Sequence, residues 1–153
     1  TVILLLFYSC DEKKPDTNDK NISHFFEEGD RIAFVGNSIT NMGMFHNNIY
    51  LYHITRFPDK PLEMYNLGVS GDVTTGVLNR MDDDILLNKP TVAVIMLGMN
   101  DVQRHLYGTE NNSDKEILKQ RKDAVDLYKR NLDSIVNIFL SKKIKVILER
   151  PSI

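Results

Sequence analysis

Three short stretches contain residues that could do chemistry together. In Arg31–Thr40, RIAFVGNSIT, an apolar run stops at Gly36 and Ser38 follows two residues later. Residues 66–72 read NLGVSGD, and residues 97–101 read LGMND. A serine at a strand-to-helix turn presents its hydroxyl clear of the backbone, where it can attack a carbonyl. Acyl transfer needs such a nucleophile, a base and donors for the developing oxyanion. The Ser38 N–H lies near a helix N-terminus, where an anion is favoured. Gly71 could add a second backbone N–H that a substrate can approach closely. Asn100 could add a side-chain amide. One well-placed donor of this kind is worth roughly 3–4 kcal/mol in the transition state. Each residue also has a plainer role: Ser38 as an N-cap, Gly71 in a turn with positive φ, Asn100-Asp101 as a turn. Singly, the plainer roles prevail; in this order, each after a strand, the three favour a shared site.

The elements that must position them follow from the hydrophobic pattern. Gly29-Asp30 marks a turn, and Arg31–Val35 is a short buried strand. Met42 to Phe57 is expected to be a helix with Phe45, Ile49, Tyr52 and Arg56 along one stripe, ended by Pro58-Asp59. Leu62–Leu67 is a second strand, and a glycine-rich loop (Gly68, Gly71, Gly76) leads to a helical stretch around Val77–Leu86. Thr91–Leu97 is continuously apolar, a central strand buried on both faces. After a loop over 101–112, Ser113-Asp-Lys-Glu116 reads as a capping box. The long helix behind it repeats Ile117, Ala124, Tyr128, Leu132, Ile135 and Phe139, with Lys142 and Lys143 at its C-terminal end. Ile144–Leu148 is the last strand. Alternating strands and helices predict an α/β fold, a three-layer α/β/α sandwich on a parallel sheet with right-handed crossovers. In such folds ligands bind beyond the carboxyl ends of the strands, where Ser38, Gly71 and Asn100 all fall.

The chain has 153 residues, 42% hydrophobic and 26% charged, enough for one domain with a core. Its net charge of −2 does not suggest nucleic acid as a partner, which usually calls for a basic domain. Cys10 is the single cysteine, so no intramolecular disulfide or multi-cysteine metal site can form. It ends the apolar run TVILLLFYSC, and the polar DEKKPDTNDKN follows. That run is far shorter than the roughly 20 residues a membrane helix needs. It resembles the end of a bacterial lipoprotein signal, with Cys10 as the lipidated residue and the charged start missing. Residues 1–10 are therefore expected to be a truncated signal and cleavage region. Residues 11–23 form a flexible linker and 24–153 the domain, starting near His24. The chain would sit in the bacterial cell envelope, touching the membrane only through a lipid on Cys10.

With these residues in view, the sequence resembles the SGNH, or GDSL-type, hydrolases from Arg31 to Asp101. Gly36-Asn-Ser-Ile is similar to the family's first block, NLGVSGD to the second and Gly98-Met-Asn-Asp101 to the third. The resemblance implies a flavodoxin-like SGNH hydrolase fold, with Ser38 as nucleophile and Gly71 and Asn100 in the oxyanion hole. It also implies a cofactor-free esterase working through an acyl-serine, acting on an acetyl or acyl ester of a carbohydrate. Asn37 stands where the family commonly has Asp, which keeps size and hydrogen bonding but drops a charge.

The family's fourth block, Asp-x-x-His, does not occur among these residues. The domain is accordingly expected to be partial, incomplete at the C-terminus, with the catalytic Asp and His outside this chain. Four histidines are present: His24, His46, His53 and His105. His53 is expected to be a surface or half-buried residue of its helix, and His46 lies near the start of that helix. His105, four residues after Asp101, could pair with it if the loop were helical. Their spacing suits no metal site, and Asp82-Asp83-Asp84 reads as a solvated face. Other readings are a lysophospholipase or thioesterase of the same family, and a non-catalytic module that binds carbohydrate or envelope.

Overall fold

The computed structural model describes residues 26–108 and 113–150. Cys10, the linker over 11–23, His24 and residues 109–112 of the long loop lie outside the described residues. Four strands form one parallel sheet: β1 (Arg31–Gly36), β2 (Glu63–Gly68), β3 (Val92–Met96) and β4 (Lys145–Leu148). Their order is β2-β1-β3-β4, and all three pairings are parallel. The chain thus leaves β1 outward to β2, then returns past β1 to β3. That reversal puts a switch point between β1 and β3, where open sheets of this kind bind ligands.

The central strands are apolar on both faces because helices cover both. One face buries Ala33, Val35, Ala93 and Ile95 against Val77, Met81 and Ile85, and against Ile135 and Phe139 of α4 (Lys115–Ser141). The other buries Ile32, Phe34, Val92 and Val94 beneath Phe45 and Ile49 of α2 (Met44–Arg56). The three-layer α/β/α sandwich expected from the sequence is the observed fold.

Several local expectations need correction. The helix expected over 42–57 is two: α1 (Ser38–Met42) and α2, broken at the left-handed Gly43. Its buried stripe includes His46 and His53, while Tyr52 is 60% exposed. Histidine reads as polar in a pattern, yet His46 stacks on Phe34 with ring centres 4.7 Å apart. His53, expected at the surface or half-buried, is buried, and its Nε2 lies 2.7 Å from the Lys60 carbonyl oxygen. The stretch expected around Val77–Leu86 begins earlier, as α3 (Thr74–Asn79), and continues as a π-helical turn over Met81–Ile85. The cap of α4 is Asp114 rather than Ser113: one Asp114 carboxylate oxygen accepts from the N–H groups of Glu116 and Ile117.

Candidate active site

The carboxyl ends of β1, β2 and β3 finish level with one another. Gly36 pairs with Gly68 on one side and with Met96 on the other. Ser38 lies two residues beyond Gly36, Gly71 three beyond Gly68 and Asn100 four beyond Met96. A side chain at Gly68 would collide with the α1 backbone, its Cβ falling 2.3 Å from the Asn41 nitrogen. Glycine there lets α1 sit directly on the strand ends.

Ser38 is the first residue of α1, and the cap belongs to its neighbour. The Asn37 side-chain oxygen accepts from the Ile39 N–H at 3.2 Å, and Asn37 is fully buried. Ser38 as an N-cap is therefore set aside, and its hydroxyl is not spent on closing the helix. Asn37, the departure from the family pattern, has a structural task that needs an acceptor oxygen and no charge.

Gly71 occupies the third position of a turn closed by the Asp72 N–H on the Val69 carbonyl at 3.0 Å. Its φ of +80° is the left-handed conformation that this position of the turn favours glycine for. Nothing lies within 4 Å of where a Cβ would be, so the space beside Gly71 is open.

Of the two neighbours of Gly71, Ser70 is tied to α1 and Asp72 to the stretch after β3. Ser70 Oγ accepts from the Asn41 side chain of α1 at 3.4 Å. The Asp72 carbonyl accepts from Asn100 Nδ2 at 3.0 Å. An amide nitrogen carries two hydrogens, so Asn100 keeps a second N–H for another acceptor. Direct hydrogen bonds thus link the Gly71 loop to the helix that begins at Ser38 and to Asn100.

Asp101 fixes the β3 loop from beneath. Its Oδ1 accepts from the Thr74 N–H at 2.8 Å and from Thr74 Oγ1 at 2.5 Å. Asn131 of α4 donates to Thr74 Oγ1 and Thr75 Oγ1 at 3.2 and 2.9 Å. Tyr128, packed beside Gly98, has its phenol pKa raised by burial and then by the Asp101 charge. A cavity of about 120 Å³ beside Asn100 is lined by Val73, Asp101, Leu127 and Tyr128. A larger one of about 490 Å³ lies between α2 and the outer edge of β2, and its lining does not include Ser38, Gly71 or Asn100.

No described histidine is shown serving Ser38. His105 sits exposed on a 3-10 turn over Arg104–Tyr107, while Asp101 bonds Thr74 instead of the histidine four residues on. His46 has both ring nitrogens buried without a partner among the described residues, and burial lowers its pKa. Asp82 and Asp83 are exposed and Asp84 pairs with Arg80 at 2.6 Å. Among the described residues no three potential ligands cluster as a metal site would require. Glu149, just beyond β4 at the same end of the sheet, was not singled out by the sequence pattern. Burial raises its carboxyl pKa, and Oε2 has no partner among the described residues.

Comparison with known proteins bears on the family and the fold. Residues 34–152 match the GDSL-like lipase/acylhydrolase family. An acetylxylan esterase of Geobacillus stearothermophilus is 25% identical over 123 residues, covering 71% of this chain and 53% of the relative. The chain thus spans about half the length of that curated relative. Among solved structures, a gut microbial diltiazem-metabolizing enzyme superposes with a TM-score of 0.68 at 34% identity. That match covers 80% of this chain and 27% of the enzyme. The crystal structure of the Geobacillus acetylxylan esterase gives a TM-score of 0.63 at 24% identity, covering 80% and 59% of the two chains, and supports the fold. From the match over residues 34–152, the chain belongs to the GDSL-like lipase/acylhydrolase family.

Proposed function

We propose that the full-length protein is a serine esterase that removes acetyl or other short acyl groups from a carbohydrate. Ser38 attacks the ester carbonyl. The Ser38 N–H, the Gly71 N–H and the free Asn100 N–H hold the oxyanion. The alcohol leaves, and water releases the acid from the acyl-serine. The observation that carries this reading is the pair of hydrogen bonds that flank Gly71, Asn41 to Ser70 and Asn100 to Asp72. Ser38 needs a base to be an effective nucleophile near neutral pH. In the acetylxylan esterase, catalytic variants replace an aspartate or a histidine by alanine. The same pair is proposed to come from residues of the full-length protein outside this chain.

The proposed setting is the bacterial envelope, with a lipid on Cys10. Loss of labelled-lipid incorporation in Cys10→Ser would support that anchor, and unchanged incorporation would remove it. For the substrate, acetyl and long-chain esters of one alcohol should be compared on the full-length protein. The reading predicts a higher kcat/KM for acetyl. A preference for long chains would favour the lysophospholipase or thioesterase alternative. Carbohydrate binding without turnover would favour a non-catalytic module.

A further inference from the structure

Behind the loop that carries Gly71 stands Arg80, a residue that the candidate mechanism does not use. It follows α3, and the next turn is π-helical: the Asp84 and Ile85 N–H groups both reach the Arg80 carbonyl, at 3.2 and 3.3 Å. Such turns are uncommon and often occur at functional sites. The Arg80 side chain is only 17% exposed, and its guanidinium meets three elements at once. Nε donates to Asp72 Oδ2 at 3.0 Å, Nη1 to Asp84 Oδ2 at 2.6 Å, and Nη2 to the Leu67 carbonyl at 2.8 Å. The fork therefore spans the end of β2, the Gly71 loop and the π-turn.

Asp72 transmits that grip. Its Oδ1 accepts from the Val73 N–H at 3.0 Å, and the carboxylate lies where a side chain at Gly76 would otherwise be. An ideal Cβ on Gly76 would stand 1.9 Å from Oδ1, so the carboxylate can occupy this position only above a glycine. The Asp72 N–H closes the turn containing Gly71, and the Asp72 carbonyl receives the Asn100 amide. Any shift of Asp72 moves both.

We propose that Arg80 is a positioning residue: through Asp72 it sets the Gly71 N–H and the Asn100 amide as a pair. The inference rests on the reading that these two groups stabilise the oxyanion. A simple stabilising role would not need this geometry, because a buried ion pair is often replaceable by apolar packing at little cost. Holding a carboxylate and a carbonyl in fixed directions requires the planar fork, which lysine lacks.

The test uses the full-length protein, with Arg80→Ala and Arg80→Lys, aryl acetate kinetics, and amide NMR of Gly71 and of the Asn100 side chain. Arg80→Ala should lose about 100-fold in kcat with KM little changed, as expected when donors are misplaced. Added methylguanidinium should recover part of the loss. The Gly71 and Asn100 resonances should shift or broaden well below the melting temperature, and Arg80→Lys should fall between the two. A folded variant with wild-type kcat, or with a reduced kcat but unchanged resonances, overturns the proposal. If Arg80→Ala does not fold, the same criteria apply to Arg80→Lys. If Ser38→Ala hydrolyses the ester as fast as wild type, the esterase reading falls separately. The two resonances then decide alone: shifted, Arg80 positions the pair; unchanged, it does not.

Discussion

The two ends of the sheet both contain buried carboxylates, yet they differ in what those carboxylates leave open. At the amino end, Asp30 accepts from the Glu27 N–H at 2.8 Å and from Thr91 Oγ1 at 2.6 Å. Thr91 Oγ1 in turn accepts from the Arg31 N–H at 3.0 Å, and Arg31 Nε donates to the Lys89 carbonyl at 2.6 Å. Every partner there is consumed in joining the starts of β1 and β3. At the carboxyl end, Asp72 and Asp101 are also hydrogen-bonded, but beside them stand a glycine facing open space and an amide with an unused N–H. Burial of polar groups is common to both ends. A candidate site is distinguished by donors that are held in place and still available.

Substitutions should separate the two ends. The largest effect is expected at Asn100, where Asn100→Ala should lower kcat of the full-length protein about 100- to 1000-fold with KM nearly constant. A loss expressed only in KM would place Asn100 in substrate binding instead. At the other end, Asp30→Ala should reduce folding stability by about 2 kcal/mol, since it strands buried donors. Its kcat per folded molecule should stay that of wild type; denaturant titration beside active-site titration measures both. A kcat loss without a stability loss would erase the contrast between the ends.

A smaller effect is expected from His46, on the buried face of α2. Burial lowers its pKa from the ordinary 6.5, so the folded state favours the neutral ring. The unfolded chain then binds the proton more readily. This contribution to stability is complete above pH 6.5 and is lost as pH falls towards and through the lowered folded value. Urea midpoints at pH 8 and 5.5 should diverge more for wild type than for His46→Phe, which keeps the stacking on Phe34. Equal divergence would assign the pH sensitivity to other groups.

Much of this arrangement was legible in the sequence. The apolar runs in β1 and β3 announced strands covered on both faces, and strand–helix alternation required parallel order. Ser38, Gly71 and Asn100 were readable because each follows a strand. Details decided by tertiary contacts were not. His46 and His53 look polar in the α2 pattern, but stacking and a carbonyl partner bury them. Ser38 and Asn37 are both good caps by type, and only backbone geometry selects Asn37; the same choice moves the α4 cap from Ser113 to Asp114. The π-helical turn has no sequence signature, so nothing in the spacing of Asp72 and Arg80 announces their contact.

The central claim is that Ser38 carries the acyl group. The direct measurement is mass spectrometry of the full-length protein quenched early in turnover of an aryl acetate, read on the tryptic peptide 32–56 that contains Ser38. One added acetyl group is expected on Ser38, absent in Ser38→Ala together with turnover. Turnover at the wild-type rate in Ser38→Ala, or an acetyl group on another residue of a kinetically competent intermediate, would contradict it.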